Sequence, residues 1–323
     1  VMPRIYVLHE NDAWVEPLRE ALNERGLPFD EWFLDNGVID FREPPPDGIF
    51  YNRMSASSHT RDHRYGPEYT AAVLSWLEQH GRRVLNPSAA LRLEVSKIKQ
   101  YSALNGYGIK TPPTVAAVGR EALVTAGRRM DPPFITKHNR AGKGLGVRLF
   151  QAYDAFEDYV SSDAFEPSID GITLVQDYIQ SPEPFITRAE FIGGRFFYAV
   201  RVDTSSGFEL CPADACRTEQ EDAFCPTGES DGAPGRFQIL NSDERPPQAL
   251  LSAYEKFLKE SQIHIAGIEF IVDRNGEAWT YDVNTNTNYN SDAEATVGRF
   301  GMGAIAEYLG NELAALMSIA ATA

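Results

Sequence analysis

Short β-rich runs alternate with amphipathic segments at the start of the chain. Arg4 to Leu8, Phe29 to Leu34 and Gly48 to Tyr51 have the composition of strands, and apolar residues at helical spacing predict a helix from about Glu68 to Gln79. This alternation is typical of an α/β domain. We therefore predict a small α/β domain over residues 1–87.

After this region the pattern changes to one long helix followed by widely spaced strands. The helix is predicted to run from about Ser88 to Asn105-Gly106, because these residues favour the two ends of a helix. Strands are predicted at Pro133 to Lys137 and at Leu174 to Ile179. A chain of 323 residues exceeds one ordinary core, so we assign residues 88–178 and 179–323 to two further lobes.

The last predicted hairpin contains the strongest turn signal of the chain, Asn275-Gly276 between two β-rich runs. Asn-Gly favours a two-residue loop because both residues tolerate a positive φ. With that loop, the antiparallel ladder puts Glu269 opposite Asp282 and Gly267 opposite Asn284. A four-residue loop would keep the same residues on the same faces, whereas a three-residue loop would reverse the faces.

The predicted hairpin has one acidic face and one apolar face, because side chains alternate along a strand. Glu269, Asp282 and Asn284 share the acidic face. Like charges opposite each other destabilise a sheet, and hard oxygen ligands suit Mg²⁺ or Mn²⁺. The acidic face is therefore either a magnesium or manganese site or a solvated surface. The predicted core face holds Ile268, Phe270, Val272, Trp279, Tyr281 and Val283.

A second hairpin is predicted around Gly193-Gly194. A two-residue loop there puts Glu190 opposite Phe197, and it places Arg188, Glu190 and Arg201 on one face. Two arginines with a carboxylate between them form either a structural ion-pair cluster or a clamp for phosphate.

A glycine-rich segment follows the strand that ends at Lys137. It contains Gly142, Lys143, Gly144 and Gly146, and its backbone N–H groups could approach phosphates. No Lys-Ser/Thr pair closes it as in a Walker A loop, and a strand follows where a Rossmann fingerprint requires a helix. The segment is either a phosphate-binding loop or an ordinary glycine-rich turn.

Two other segments are candidates for substrate contacts. Arg53 lies just past a predicted strand end, where open α/β sheets bind ligands, and it is either a ligand for a substrate carboxylate or a surface arginine. Asp203 to Gly235 is long and irregular, and it is either a loop over the active site or a disordered surface excursion.

Composition limits the classes of partner. A formal net charge of −16 argues against nucleic acid or an anionic membrane as the main partner, because both demand a basic surface. The three cysteines cannot close a complete disulfide framework, and no apolar run approaches membrane-spanning length. We expect a cytoplasmic protein that does not bind a membrane, and self-association into a homo-oligomer stays open.

Taken together, these segments resemble the ATP-grasp superfamily of carboxylate-amine ligases, especially the ribosomal-protein glutamate ligase (RimK) and glutathione synthetase type. The resemblance covers roughly residues 96–290. It implies an α/β (α+β) ATP-grasp fold, in which an N-terminal α/β pre-ATP-grasp domain precedes two lobes that sandwich ATP.

The resemblance assigns roles residue by residue. Lys97 and Lys137 look like the two ATP lysines, and Arg188 and Arg201 match basic positions beside the phosphates and the substrate. Glu269, Asp282 and Asn284 match the acid, acid-x-Asn set that holds the metal ions. The segment similar to the hinge that holds adenine and ribose is Gln176, Asp177, Tyr178 and Ile179.

The sequence departs from the family at two positions. The family more often has Glu where Asp282 stands, and Asp where Ile186 stands. The shorter Asp282 can still coordinate a metal ion, whereas Ile186 puts family-specific recognition of the amine at that position in doubt.

The resemblance implies ATP- and Mg²⁺-dependent conversion of a carboxylate to an acyl phosphate, which an amine attacks to give an amide. Amino acids or peptides are the expected carboxylate and amine substrates. Two alternatives remain open at this point: a nucleotide-binding regulatory protein without turnover, and an ATP-dependent kinase of a small molecule.

Overall fold

The computed structural model of the chain describes residues 2–142, 144, 146–205 and 236–322. Lys143 and most of the predicted segment Asp203 to Gly235 lie outside the described residues. The described residues form three sheets, so the predicted mixture of α and β elements is confirmed. The domain boundaries after residues 87 and 178 stay predictions.

The first sheet is parallel, with strand order β2-β1-β3-β4. The first helix begins with a regular N-cap: the side chain of Asn11 accepts a hydrogen bond from the backbone N–H of Trp14 and so satisfies a donor at the start of the helix. The elements are β1 (Arg4–His9), α1 (Asp12–Glu24), β2 (Phe29–Phe33), β3 (Gly48–Asn52), α2 (Gly66–Gln79) and β4 (Arg83–Leu85).

The second sheet is antiparallel, with strand order β5-β8-β6-β7. Two helices precede it where the sequence predicted one, because the helix is interrupted at Val95 and Ser96. The side chain of Asn139 accepts from the N–H of Ile98, and the N–H of Lys97 donates to the carbonyl of Asn139. The elements are α3 (Ser88–Glu94), α4 (Lys97–Gly106), β5 (Thr114–Val118), α5 (Arg120–Gly127), β6 (Phe134–His138), β7 (Arg148–Phe150), α6 (Tyr153–Ser161) and β8 (Ile172–Asp177).

The third sheet is antiparallel, with strand order β11-β10-β9-β12-β13. Its elements and the helices around it are β9 (Phe185–Ile192), β10 (Arg195–Asp203), β11 (Phe237–Ile239), α7 (Gln248–Glu260), β12 (Ile265–Val272), β13 (Ala278–Asn284), α8 (Ser291–Val297) and α9 (Gly301–Thr322).

Both faces of the third sheet are covered by apolar side chains. On one face, Val200 belongs to a buried cluster with Leu309 of α9 and Ile5 of the first sheet. On the other face, Phe191 packs in a cluster with Leu104 of α4 and Phe257 of α7. The first sheet and the third sheet therefore share one hydrophobic core.

The predicted pairing of the β12–β13 hairpin is confirmed, although the loop differs from the prediction. Glu269 lies opposite Asp282 and Gly267 opposite Asn284. The N–H of Asp273 donates to the carbonyl of Glu277, so three residues form the loop. A three-residue loop alone would have reversed the faces.

A β-bulge restores the pairing on the far side of that loop. Phe270 pairs with Thr280 while Glu269 pairs with Asp282, so Tyr281 is the extra residue of the bulge. The predicted core face is therefore wrong for β13 in two places. Thr280 occupies the core beside Phe270, whereas Trp279 and Tyr281 lie on the face of Glu269.

A bulge also changes the β9–β10 hairpin, and here the prediction is wrong. Tyr198 pairs with Glu190, and the register shifts between Phe196 and Tyr198. Arg201 consequently pairs with Thr187, and Val200 is the residue that pairs with Arg188. Because neighbouring positions along a strand face opposite sides, Arg188 and Arg201 lie on opposite faces of the sheet.

Candidate active site

A cavity of about 580 Å³ lies between the second and third sheets. Residues from the elements around all three sheets line this cavity. The hinge segment borders it with Gln176, Asp177, Tyr178 and Ile179, and the first sheet contributes the loop of Ser55 and Ser57 after β3. Gln176 is buried and donates from Nε2 to Thr114 Oγ1 at 2.8 Å.

Two lysines reach the cavity from different elements. Lys97 begins α4, and its Nζ lies 2.7 Å from Asp282 Oδ1. Lys137 lies on β6, where its Nζ donates to Tyr101 Oη at 2.9 Å and lies 5.3 Å from the centroid of the Tyr281 ring. Burial lowers the pKa of Lys137, and the nearby carboxylates of Asp282 and Glu269 oppose that shift.

Two acids and an asparagine form the opposite wall. Arg188 Nη1 donates to Glu269 Oε1 at 2.9 Å, and Asn284 Nδ2 lies 3.3 Å from the same oxygen. Burial raises the pKa of Glu269, whereas the adjacent Arg188 lowers it. The repulsion expected between Glu269 and Asp282 is therefore offset by one cationic partner for each acid.

Arg188 is part of the same wall and is held in place by several hydrogen bonds. Its guanidinium also donates to Glu190 Oε1 at 2.5 Å and to Thr287 Oγ1 at 2.6 Å. A Cβ added at Gly267 would come within 2.6 Å of this guanidinium. The absence of a side chain at Gly267 therefore makes the room that Arg188 occupies.

The glycine-rich segment borders the same cavity. Gly142 and Gly144 line it, while Gly146 packs against the ring of His138, which a Cβ would meet at 2.5 Å. Gly144 and Gly146 have φ values of 74° and 73°, which L side chains rarely adopt. Lys143, the remaining candidate of this segment, lies outside the described residues.

Two predicted site arginines have other surroundings. Arg201 stacks over the ring of Phe185 at 4.2 Å and lies 3.8 Å from Glu244, on the face of the sheet away from Arg188. Arg53 is neither a surface residue nor a lining residue: it is 1% exposed and bonded to the segment after β13. The predicted shared face of Arg201 and Arg188 is therefore wrong. The predicted place of Arg53 just past a strand end is correct, because β3 ends at Asn52, but the side chain is buried against protein groups.

Sequence reasoning missed several lining residues. Glu94 accepts hydrogen bonds from the N–H of Ala56 and from both the N–H and Oγ1 of Thr285, so it ties the loop after β3 to the end of β13. Asn286 and Asn288 also line the cavity. The run of alternating Asn and Thr after Asp282 was the available signal, but only the spatial neighbours show what each residue does.

The arrangement of the three sheets around this cavity is the ATP-grasp fold. No family model and no curated protein matches the sequence, so solved structures provide the comparison. The RimK domain ATP-grasp protein from Sphaerobacter thermophilus is 17% identical, with a TM-score of 0.62 over 94% of this chain and 99% of that chain.

Two other similar structures carry more specific descriptions. The ATP-grasp ligase PsnB, solved with a minimal precursor, Mg and ADP, is 14% identical with a TM-score of 0.63 over 96% of this chain and 97% of that chain. The D-cycloserine synthetase DcsG is 15% identical with a TM-score of 0.61 over 96% of this chain and 99% of that chain. At these identities the likeness establishes the fold.

Within the part of the chain that the structure describes, no helix is both long enough and apolar enough to cross a membrane.

Proposed function

We propose that the protein is an ADP-forming, ATP-dependent ligase that joins a carboxylate to an amine, of the acid–amino-acid ligase type. The observation that carries the proposal is the convergence of Lys97, Lys137 and Arg188 on Glu269 and Asp282 in the wall of the cavity. Such a set of cations and oxygen ligands suits phosphoryl transfer, which depends mainly on positioning and charge stabilisation.

The residues present fit a magnesium–nucleotide complex. Glu269, Asp282 and Asn284 offer side-chain oxygens, which are the ligands that Mg²⁺ prefers. Both acids are already paired with side-chain cations. The wall therefore offers carboxylates to a metal ion and cations to the phosphates of the nucleotide. Bound Mg²⁺ would offset the charge of the phosphates during transfer.

In the proposed reaction a carboxylate oxygen of the substrate attacks the γ-phosphorus of ATP, and ADP leaves. An amine then attacks the acyl carbon, phosphate leaves with the carboxylate oxygen, and the amine nitrogen loses a proton. Lys97 and Lys137 would bind the nucleotide phosphates, and Arg188 would stabilise the charge of the acyl phosphate. Gln176 to Ile179 would hold the adenosine, and the Gly142–Gly146 segment would cover the phosphates.

The proposed substrates are amino acids or peptides. PsnB was solved with a precursor and DcsG is a D-cycloserine synthetase, which supports this class for proteins of the same fold. The acidic net charge of −16 supports the expectation that nucleic acid is not a partner. A cytoplasmic location and the oligomeric state stay predictions from the sequence.

The test is incubation with ATP, Mg²⁺ and a panel of amino acids and short peptides whose carboxylates carry ¹⁸O. We expect ADP, an amide product, and ¹⁸O in the released phosphate, because the carboxylate oxygen departs with phosphorus. Asp282→Asn is the inactive control, and Asp163→Asn, at an exposed position, is the control for loss of charge.

Other outcomes decide between the alternatives. ADP release that needs a carboxylate but no amine, with a stable phosphorylated product, would indicate a kinase. Nucleotide binding without turnover across the panel would favour a regulatory protein. Release of AMP would refute the acyl-phosphate mechanism.

A further inference from the structure

Arg53 is a buried cation with unusual partners. It is 1% exposed, and in the described part of the chain it forms no ion pair with a carboxylate. Its Nε donates to Asn286 Oδ1 at 3.0 Å, and its Nη2 donates to Asn288 Oδ1 at 2.8 Å and to the carbonyl of Thr287 at 3.1 Å. The Sδ of Met302 lies 3.7 Å from Nη1. The guanidinium therefore holds two side-chain amides at once.

This contact fixes which way both amides point. A guanidinium has N–H donors and no acceptor, so the amide atom that faces Arg53 must be the oxygen in Asn286 and in Asn288. Each –NH₂ group consequently points away from Arg53. Neither Nδ2 atom has a hydrogen-bond partner among the described residues.

Asn286 and Asn288 border the cavity that is proposed to bind the nucleotide. Both line the cavity, and they follow Asn284 along the chain. Asn288 also borders a second cavity of about 330 Å³, with Trp14 and Tyr289, so it stands where the two cavities meet. Through Arg53 the pair is joined to the first sheet, whereas the hinge segment proposed for adenosine belongs to the second sheet.

Two amide donors that border one cavity and are backed by a buried cation favour an anionic oxygen ligand. The two –NH₂ groups have no partner among the described residues and are open to a ligand, and Arg53, which does not line the cavity, acts on such a ligand through the two amides that it holds. The nucleotide phosphates already have Lys97 and Lys137 as partners in the proposed function. The remaining anion of the reaction is the carboxylate that is to be activated.

We propose that the side-chain amides of Asn286 and Asn288, oriented by Arg53, bind the carboxylate group of the acyl substrate. This inference rests on the proposed function and assigns one of its substrates to a place. Asn286 and Asn288 are binding residues in this proposal, and Arg53 is a positioning residue that acts through them.

The test uses sodium acetate as the minimal carboxylate and acetamide as its neutral counterpart, each titrated by ligand-observed NMR against the full chain with Mg²⁺ and the analogue AMPPNP. We expect acetate to bind at least about tenfold more tightly than acetamide, because hydrogen bonds to a charged group are the stronger ones.

Asn288→Asp separates binding from structure. The aspartate keeps an oxygen for Arg53 and supplies the missing anion, so the melting temperature should be retained or raised. It also replaces the –NH₂ donor by a negative oxygen, so acetate affinity should fall by about tenfold or more. Asn23→Asp, at an exposed position of α1, adds the same charge elsewhere and should leave acetate affinity unchanged.

Arg53→Lys provides a second variant. Lysine keeps the charge but lacks the fork that reaches two amide oxygens, so acetate affinity should fall while AMPPNP still binds. The proposal is overturned if acetamide binds as well as acetate, if the wild type does not bind acetate, or if Asn288→Asp leaves acetate affinity unchanged. A loss of AMPPNP affinity in place of acetate affinity would assign the pair to the nucleotide and also overturn it.

Different results would refute the proposed function and the carboxylate-binding role of Asn286 and Asn288. A wild-type protein that does not bind AMPPNP would refute the proposed function, whereas the acetate titration of the same protein still decides whether the amide pair binds a carboxylate.

Discussion

Lys97 and Asp282 form an ion pair in the wall of the cavity, with 2.7 Å between Nζ and Oδ1. The two side chains are 9% and 14% exposed, so solvent screens the pair only weakly. In the proposed function the same lysine binds phosphate and the same carboxylate binds a metal ion. When Mg²⁺ and ATP bind, the ion pair therefore has to separate, so that Lys97 contacts phosphate and Asp282 contacts the metal ion.

Asp282→Asn should lower the stability of the protein without ligands. The variant leaves Lys97 mostly buried without its anion, and removal of one partner from a fully buried pair costs about 3–5 kcal/mol in other proteins. We expect roughly 1–3 kcal/mol here, because both side chains keep some solvent contact. Urea unfolding measures this change, and Asp163→Asn controls for the loss of one surface charge. An unchanged unfolding free energy would contradict the ion pair.

Lys137→Met should weaken nucleotide binding without lowering the stability of the protein, unlike Asp282→Asn. The amine is buried against Tyr101 and the ring of Tyr281, and burial lowers its pKa. Replacing a desolvated cation by an apolar side chain of similar length should leave the free energy of unfolding unchanged or higher. AMPPNP affinity should fall by about tenfold or more, because a cation beside a polyanion is lost. Calorimetric titration measures the affinity, and equal affinities would remove Lys137 from the site.

Arg188 and Arg201 provide a matched pair of variants on opposite faces of one hairpin. Arg188→Met leaves Glu190 and Glu269 without their shared partner, so it should lower stability by about 3–5 kcal/mol and abolish ADP release. Arg201→Met removes a partly exposed stacking contact with Phe185 and should keep turnover within about threefold of wild type. Turnover that depends on Arg201 as strongly as on Arg188 would contradict the assignment of faces.

The two hairpins show how far strand pairing can be read from sequence. In both, the turn residues gave the correct position of the hairpin, whereas the loop length and the β-bulges, which the sequence did not reveal, decided the faces. In the β12–β13 hairpin the three-residue loop and the bulge at Tyr281 offset each other, so Glu269 and Asp282 still face each other. In the β9–β10 hairpin the bulge after Phe196 has no such compensation, and Arg201 moves to the other face.

Long-range contacts account for most of what the sequence did not predict. Arg53 has the position of a ligand-binding residue after a strand, but its partners Asn286 and Asn288 come more than 230 residues later in the chain. Glu94 joins Ala56 to Thr285 in the same way. Local pattern identifies polar residues near strand ends, whereas tertiary packing decides which of them contact a ligand and which orient another side chain.

His264 should make stability depend on pH. His264 immediately precedes β12, and its Nδ1 lies 3.0 Å from Oη of Tyr308 on α9. Burial, followed by the charge of Arg83 on β4, lowers the pKa of His264 to about 4, while Glu312 on α9 raises it. Between this value and the ordinary pKa of 6.5, the unfolded chain binds a proton that the folded protein does not, so stability is intact above pH 6.5 and falls as the pH decreases through this window.

We expect His264 to account for up to about 2 kcal/mol of the stability lost between pH 7.5 and pH 5. Urea unfolding at the two pH values measures the loss in wild type and in His264→Gln, whose amide does not titrate. The variant should lose less stability on acidification, whatever its stability at pH 7.5. His80→Gln, at the exposed end of α2, should follow the wild type. Equal losses in His264→Gln and in the wild type would show that His264 takes up its proton equally well in the folded and unfolded chain, contrary to its burial beside Arg83.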